Sequence, residues 1–163
     1  MAKTLEQKLN IGLEADATSA IVEILSKILA DQHILYVKSR NFHWNVTGPN
    51  FSQLHKLYED QYNQLAEAID STAERIRMLG APAPGSMADF LAHARLSEHR
   101  GHSPRAGEMT AILLADHEAI IRNLREDIDT VNDDLGDAGT ADFLTGLIQD
   151  HEKAAWFLRA HLE

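Results

Sequence analysis

Cysteine is absent from all 163 residues, which excludes disulfides, zinc–thiolate sites and thiol catalysis. Any metal chemistry must therefore use histidine and carboxylate. Long apolar runs are also missing. None approaches the roughly 18 residues of a membrane span, and the start, MAKTLEQKLNIGLEAD, has no stretch like a signal peptide. The expectation is a cytoplasmic protein with no membrane association. Positive charge is scarce as well: Lys plus Arg total 15 against 25 Asp plus Glu, a formal net charge of −10. That balance disfavours wrapping on a phosphate backbone and favours cationic partners such as metal ions. No repeat or low-complexity tract stands out. The length suits one domain with a substantial core, so 1–163 reads as a single domain with 1–15 as a short N-terminal extension.

What is present is helical periodicity. From Thr18 to Asn45 apolar residues fall at Ile21, Ile24, Leu25, Ile28, Leu29 and Leu35, the spacing of a helix rather than a strand. Thr47-Gly48-Pro49-Asn50 breaks the pattern, and Asn50 with Gln53 predicts a capping box. A second helix runs to Gly80 through Leu54, Tyr58, Leu65, Ile69, Ala73 and Ile76, and Gly80-Ala81-Pro82-Ala83-Pro84-Gly85 stops it. A short helix is expected around Met87 to Ala94. Ser103-Pro104 predicts an N-cap and first position for a third long helix carrying Met109, Ile112, Leu113, Ile120, Leu124, Ile128 and Val131. Thr140 is expected to cap a fourth, carrying Phe143, Leu144, Leu147, Ile148, Ala155, Trp156 and Leu158. The fold class expected is all-α, a four-helix bundle with an extra short helix in the long connection between helices two and three.

Chemistry concentrates between Asn41 and Gly80. His43 ends helix one, while His55 and Glu59 lie at i and i+4 on one face of helix two. Asp70 and Glu74 make a second i, i+4 pair, whose like charges repel by roughly 0.2–0.5 kcal/mol unless a cation or an arginine relieves them. A solvated face, or pairing with Arg75, Arg77 and nearby lysines, is the bland reading of those acids. The second pair returns to nearly the same face but lies ~16 Å along the axis, too far to share a metal with the first. An antiparallel copy of helix two, on a two-fold axis near Gln64 and Leu65, would bring the partner's acids beside His43, His55 and Glu59. The geometry suggests a site shared across a dimer interface and occurring twice per dimer. Imidazole and carboxylate together suit iron, with zinc, manganese or copper also compatible. No Glu-x-x-His occurs in the sequence, which weighs against a di-iron site inside one subunit.

The ordered run His43-Trp44-Asn45, His55-x-x-x-Glu59 and Asp70-x-x-x-Glu74-Arg75 resembles the signature of the Dps family, the mini-ferritins named as DNA-binding proteins from starved cells. The resemblance covers essentially the whole chain, including Thr140-Ala141-Asp142 and Trp156-Phe157. It implies a ferritin-like homo-dodecamer built from two-fold dimers. In it, ferrous iron is oxidised by hydrogen peroxide or oxygen, and ferric mineral is stored inside the shell. It also implies that His43, His55 and Glu59 come from one subunit and Asp70 and Glu74 from its partner, with up to two irons per site and zinc or manganese as substitutes. Glu59 stands where the family often has Asp, which keeps the charge and adds a methylene. Trp44, beside a ligand, is implied as an electron donor, although the residue alone reads as an interface or core aromatic.

Other clusters carry less. His93, His99 and His102 read as an exposed polar loop, with metal binding as the alternative. His117 and His151 stand beside acids in Asp116-His117-Glu118 and Asp150-His151-Glu152, but adjacent helical residues do not share a face. Asp133, Asp134, Asp137 and Asp142 suit a helix N-terminus, and the resemblance implies a cation pore for some of them. The competing function is a nucleoid-associated, DNA-condensing protein. Before helix one, however, only Lys3 and Lys8 face Glu6, Glu14 and Asp16, so weak or absent DNA binding is expected.

Overall fold

The structure, a computed structural model, describes residues 9–101 and 103–163. Lys3, Lys8 and His102 lie outside the described residues. Four long helices are present: α1 (Ala15–Asn45), α2 (Phe51–Met78), α4 (Ala106–Asp129) and α5 (Ala138–Ala160), with the short α3 (Met87–His93) between α2 and α4. No strand occurs among the described residues. None of these helices is long and apolar enough to cross a membrane. The all-α expectation holds, and the reason is visible in the core. Apolar residues three and four apart on each helix meet along one axis: Ile21, Leu25, Ile28 and Leu35 on α1, and Leu54, Tyr58, Leu65 and Ile76 on α2. Met109, Leu113, Ile120 and Leu124 on α4 meet Leu144, Leu147 and Leu158 on α5. Ile24, Ile69, Ala73, Ile112, Ile128 and Phe143 sit at the edge of this core, and Trp156 is exposed.

α1 pairs with α2 and α4 pairs with α5, and the two pairs join along α1–α4 and α2–α5. The stretch from α2 to α4 does not make a tight hairpin. It leaves α2 through Gly80, whose φ of +84° suits glycine, and lays α3 against α1. There Phe90 stacks on His33 at 3.6 Å between ring centroids. The fully buried Asp31 on α1 fastens the returning chain. It accepts hydrogen bonds from the backbone amides of Arg95 and Leu96 at 2.6 and 2.9 Å and from Arg95 Nε at 2.8 Å. Arg95 reaches on to Asp127 of α4, so one ion network ties α1, the connection and α4 together.

Three cap expectations are corrected. Asn50 precedes α2 but caps nothing with its side chain. The capping box is instead at α3, where Ser86 and Asp89 satisfy each other's backbone amides. The third long helix begins after Arg105, not at Ser103-Pro104, because Arg105 itself is extended at ψ 156° and Pro104 is spent in the buried approach. Finally, α4 widens into a π-helical turn, Thr130–Asp134, and α5 starts at Ala138 with Asp137 as the cap. Thr140 is the residue being capped: its amide donates to Asp137 Oδ1 at 3.0 Å.

Candidate metal centre

α1 ends and α2 begins so that His43 and His55 face each other across the short turn at 46–50. Each ring donates through Nδ1–H to the other residue's backbone carbonyl, both at 2.8 Å. The rings stack at 3.7 Å between centroids with a 23° tilt, and Tyr62 meets the edge of His43. A carbonyl only accepts, so both Nδ1 atoms carry the proton. In the neutral tautomer so fixed, Nε2 is the nitrogen left for a metal. Backbone carbonyls fix both Nδ1 atoms, and ring stacking and the edge of Tyr62 complete the orientation.

Glu59, one turn beyond His55, points its carboxylate at Lys56, 3.2 Å away, and Lys56 also holds Asp60 at 2.6 Å. Asp70 and Glu74 are both exposed, as the separation along α2 requires. The bland reading of those acids fails for the nearest arginines. Arg75 turns inward to Asp137 and Thr140 of α5, and Arg77 donates to the carbonyl of Ala81. Among the described residues neither Asp70 nor Glu74 has a cationic partner. Nor do any three His, Asp or Glu side chains of the described chain come together to hold a metal ion. α2 thus carries His55, stacked on His43 of α1, toward one end and two exposed acids without a cationic partner toward the other.

Residues 22–163 match the family model of the ferritin-like domain. An uncharacterized low temperature-induced protein of Nostoc is 47% identical, over 96% of this chain and 87% of its own length. DNA protection during starvation protein 2 of Bacillus anthracis is 34% identical, over 87% of this chain and 96% of its own length. This chain belongs to the Dps family. A crystal structure of the Dps protein from Vibrio cholerae, described as a member of a broad superfamily of ferritin-like diiron-carboxylate proteins, superposes with a TM-score of 0.89 at 29% identity. It covers 96% of this chain and 97% of that one.

The remaining candidates of this Dps-family chain separate clearly. Trp44 is 64% exposed and packs its ring against the guanidinium of Arg40 at 5.1 Å, so it is not a core aromatic of the subunit. Asp137 is buried and occupied: burial opposes its ionisation, but the Thr140 hydroxyl and amide and the Arg75 guanidinium outweigh that and hold its carboxyl below the usual range. Asp133, Asp134 and Asp142 remain exposed. His93 donates to the carbonyl of Asp89 and His99 packs edge-on to Phe42, so each already has a structural contact.

Sequence reasoning missed one pair. His117 and His151 are each buried, and their Nδ1 atoms lie 2.9 Å apart between α4 and α5. Spacing within a single helix cannot reveal such a pair. The signal was the core register itself, in which Leu113, His117, Ile120 and Leu124 form one line and Leu144, Leu147, His151 and Leu158 another.

Proposed function

We propose that this protein is a ferroxidase and iron-storage mini-ferritin. Ferrous iron is its substrate, oxidised at sites between two-fold-related subunits, with hydrogen peroxide or oxygen as oxidant. His43, His55 and Glu59 of one subunit hold the iron through Nε2 and carboxylate atoms, and Asp70 and Glu74 come from its partner. The observation that carries this is the reciprocal locking of His43 and His55, which leaves Nε2 of both rings outside those hydrogen bonds near the start of α2, the helix that also bears two acids without a cationic partner.

The chemistry follows from charge. Carboxylates gain more from an ion of higher charge, so a carboxylate-rich site stabilises the ferric product over the ferrous substrate. With peroxide, two ferrous ions each give one electron, the O–O bond breaks, and two hydroxides result. The ferric product hydrolyses and is stored as mineral inside a dodecameric shell. Exposed Asp133, Asp134 and Asp142 supply the negative potential that draws cations toward the shell. Removing ferrous iron and peroxide together limits hydroxyl-radical damage, so DNA is protected in the cytoplasm without being coated. Zinc or manganese fits the same ligands as a competitor. The net charge of −10 supports the absence of tight DNA binding. A mobility-shift assay at physiological salt without magnesium is expected to show no complex.

Co-assembly tests the sharing directly. Subunits carrying H43A/H55A and subunits carrying D70N/E74Q are each expected to be inactive alone. Refolded together at equal amounts, half of the dimers are mixed and each mixed dimer regains one intact site. About a quarter of wild-type activity should then return. No recovery in mixed cages of normal size would sink the shared-site reading.

A further inference from the structure

The buried histidine pair inside the bundle is left unused by that function. His117 from α4 and His151 from α5 are 2% and 4% exposed, and their rings are tilted by 56° with centroids 5.0 Å apart. One proton between the two Nδ1 atoms makes a single hydrogen bond, yet His117 Nε2 is buried with no partner. Gln61 of α2 adds a third group: it is 4% exposed, its amide nitrogen reaches the Ala154 carbonyl at a long 3.4 Å, and its Oε1 has no partner. Gln61, His117 and His151 line one cavity of about 30 Å³, with Gln64 and Asp150 at its edge. That is room for a single water or ion. Leaving such groups unsatisfied costs about 1–3 kcal/mol each, and aliphatic side chains would fill the same positions without that cost.

We propose that His117, His151 and the Gln61 carbonyl oxygen form a second metal site, inside the bundle of each subunit, for one nitrogen-preferring divalent ion of the copper(II) type. Two nitrogens 2.9 Å apart, at metal–nitrogen bonds of about 2.1 Å, subtend roughly 90° at the ion. A tetrahedral site needs a wider bite, whereas tetragonal nitrogen and oxygen sites of copper(II) or nickel(II) use this one. The ion takes the place of the proton now shared by the rings, and that proton moves to Nε2 of the ring that donated it, so both imidazoles stay neutral. Burial supports this by keeping both imidazoles unprotonated: it lowers His117 well below the usual value and His151 to about 4. Asp150, exposed and lining the same cavity, supplies a negative charge on the way in. The site shares no residue with the one between subunits, so failure of either leaves the other standing.

The decisive measurement is a crystal of the chelator-treated full-length protein soaked in copper(II) chloride, with anomalous diffraction collected at the copper edge. A peak about 2.1 Å from both Nδ1 atoms is expected in every subunit. Water alone in the cavity, with copper bound elsewhere in the same crystal, would overturn the proposal. In solution, H117L/H151L should lose about one copper ion per subunit, together with its nitrogen hyperfine signal in electron paramagnetic resonance. Its peroxide-driven iron oxidation should stay unchanged. Undiminished copper binding by a folded double variant would count against the site, and if that variant fails to fold the crystal result decides alone.

Discussion

The two histidine pairs of this subunit use one side chain in opposite ways. At the end of α1 each imidazole is held by the other's backbone carbonyl, and both second nitrogens stay outside that bonding. Between α4 and α5 the rings hold each other side chain to side chain in the dry core, and one nitrogen is left without a partner. Backbone anchoring fixes both tautomers and leaves two ligand atoms for something outside the subunit. Side-chain anchoring sets the two Nδ1 atoms against each other and ties the pair to the packing around it. The outer pair is therefore held from the backbone at a helix junction, and the inner pair by its own rings between two helices.

The largest effect should come from breaking the outer pair. H55A removes a ligand and the Nδ1 donor that orients the His43 loop, and peroxide-driven iron oxidation is expected to fall at least about 100-fold. H117L/H151L, measured side by side, should stay within about twofold of the unaltered protein. Equal losses in both would erase the distinction between the pairs.

Next in size is pH. In the unfolded chain both core histidines take up a proton below about 6.5, whereas in the folded chain His151 does so only near pH 4 and His117 is likewise lowered, both because burial disfavours the charged ring. The unfolded state thus binds more protons between those limits. Stability contributed by the pair is fully present above about pH 6.5 and is lost as pH falls toward 4. Each imidazole adds about 1.4 kcal/mol per pH unit to that slope. Urea unfolding of chelator-treated protein at pH 6.5 and 5.5 should show the steeper loss in the wild type than in H117L/H151L. Matching slopes would mean that the inner rings are already solvated or charged.

Periodicity made the bundle legible because each long helix keeps its apolar residues on one face, and burial alone then decides the packing. Caps were less legible. Ser103-Pro104 and Thr140 both have the right chemistry, but the helices start after Arg105 and Asp137, the latter because Arg75 of α2 reaches across to offset its burial. For the outer site, i, i+4 spacing placed His55 near Glu59 and Asp70 near Glu74 on one face of α2. It said nothing about the reciprocal backbone bonds of His43 and His55, which depend on the path of the turn at 46–50. The inner pair went unread because its members are 34 residues apart and each was judged only against its own helical neighbours.

The smallest and most informative effect concerns Glu59, the proposed ligand that the single subunit pairs with a lysine. Its carboxylate is held by Lys56 at 3.2 Å, while Lys56 has a closer partner in Asp60 at 2.6 Å. Lys56 can therefore release Glu59 to a metal without losing its own ion pair, and such exposed pairs are weak. K56A removes the competitor and should tighten ferrous binding by no more than about threefold. Asp60→Asn should act in the opposite direction, because it leaves Lys56 with Glu59 as its remaining carboxylate and makes the ligand harder to free. Ferrous titrations of the two variants under anaerobic conditions check the signs. If both weaken binding, Lys56 positions Glu59 for the metal rather than competing with it, and the outer site is more pre-organised in one subunit than the two free imidazoles indicate.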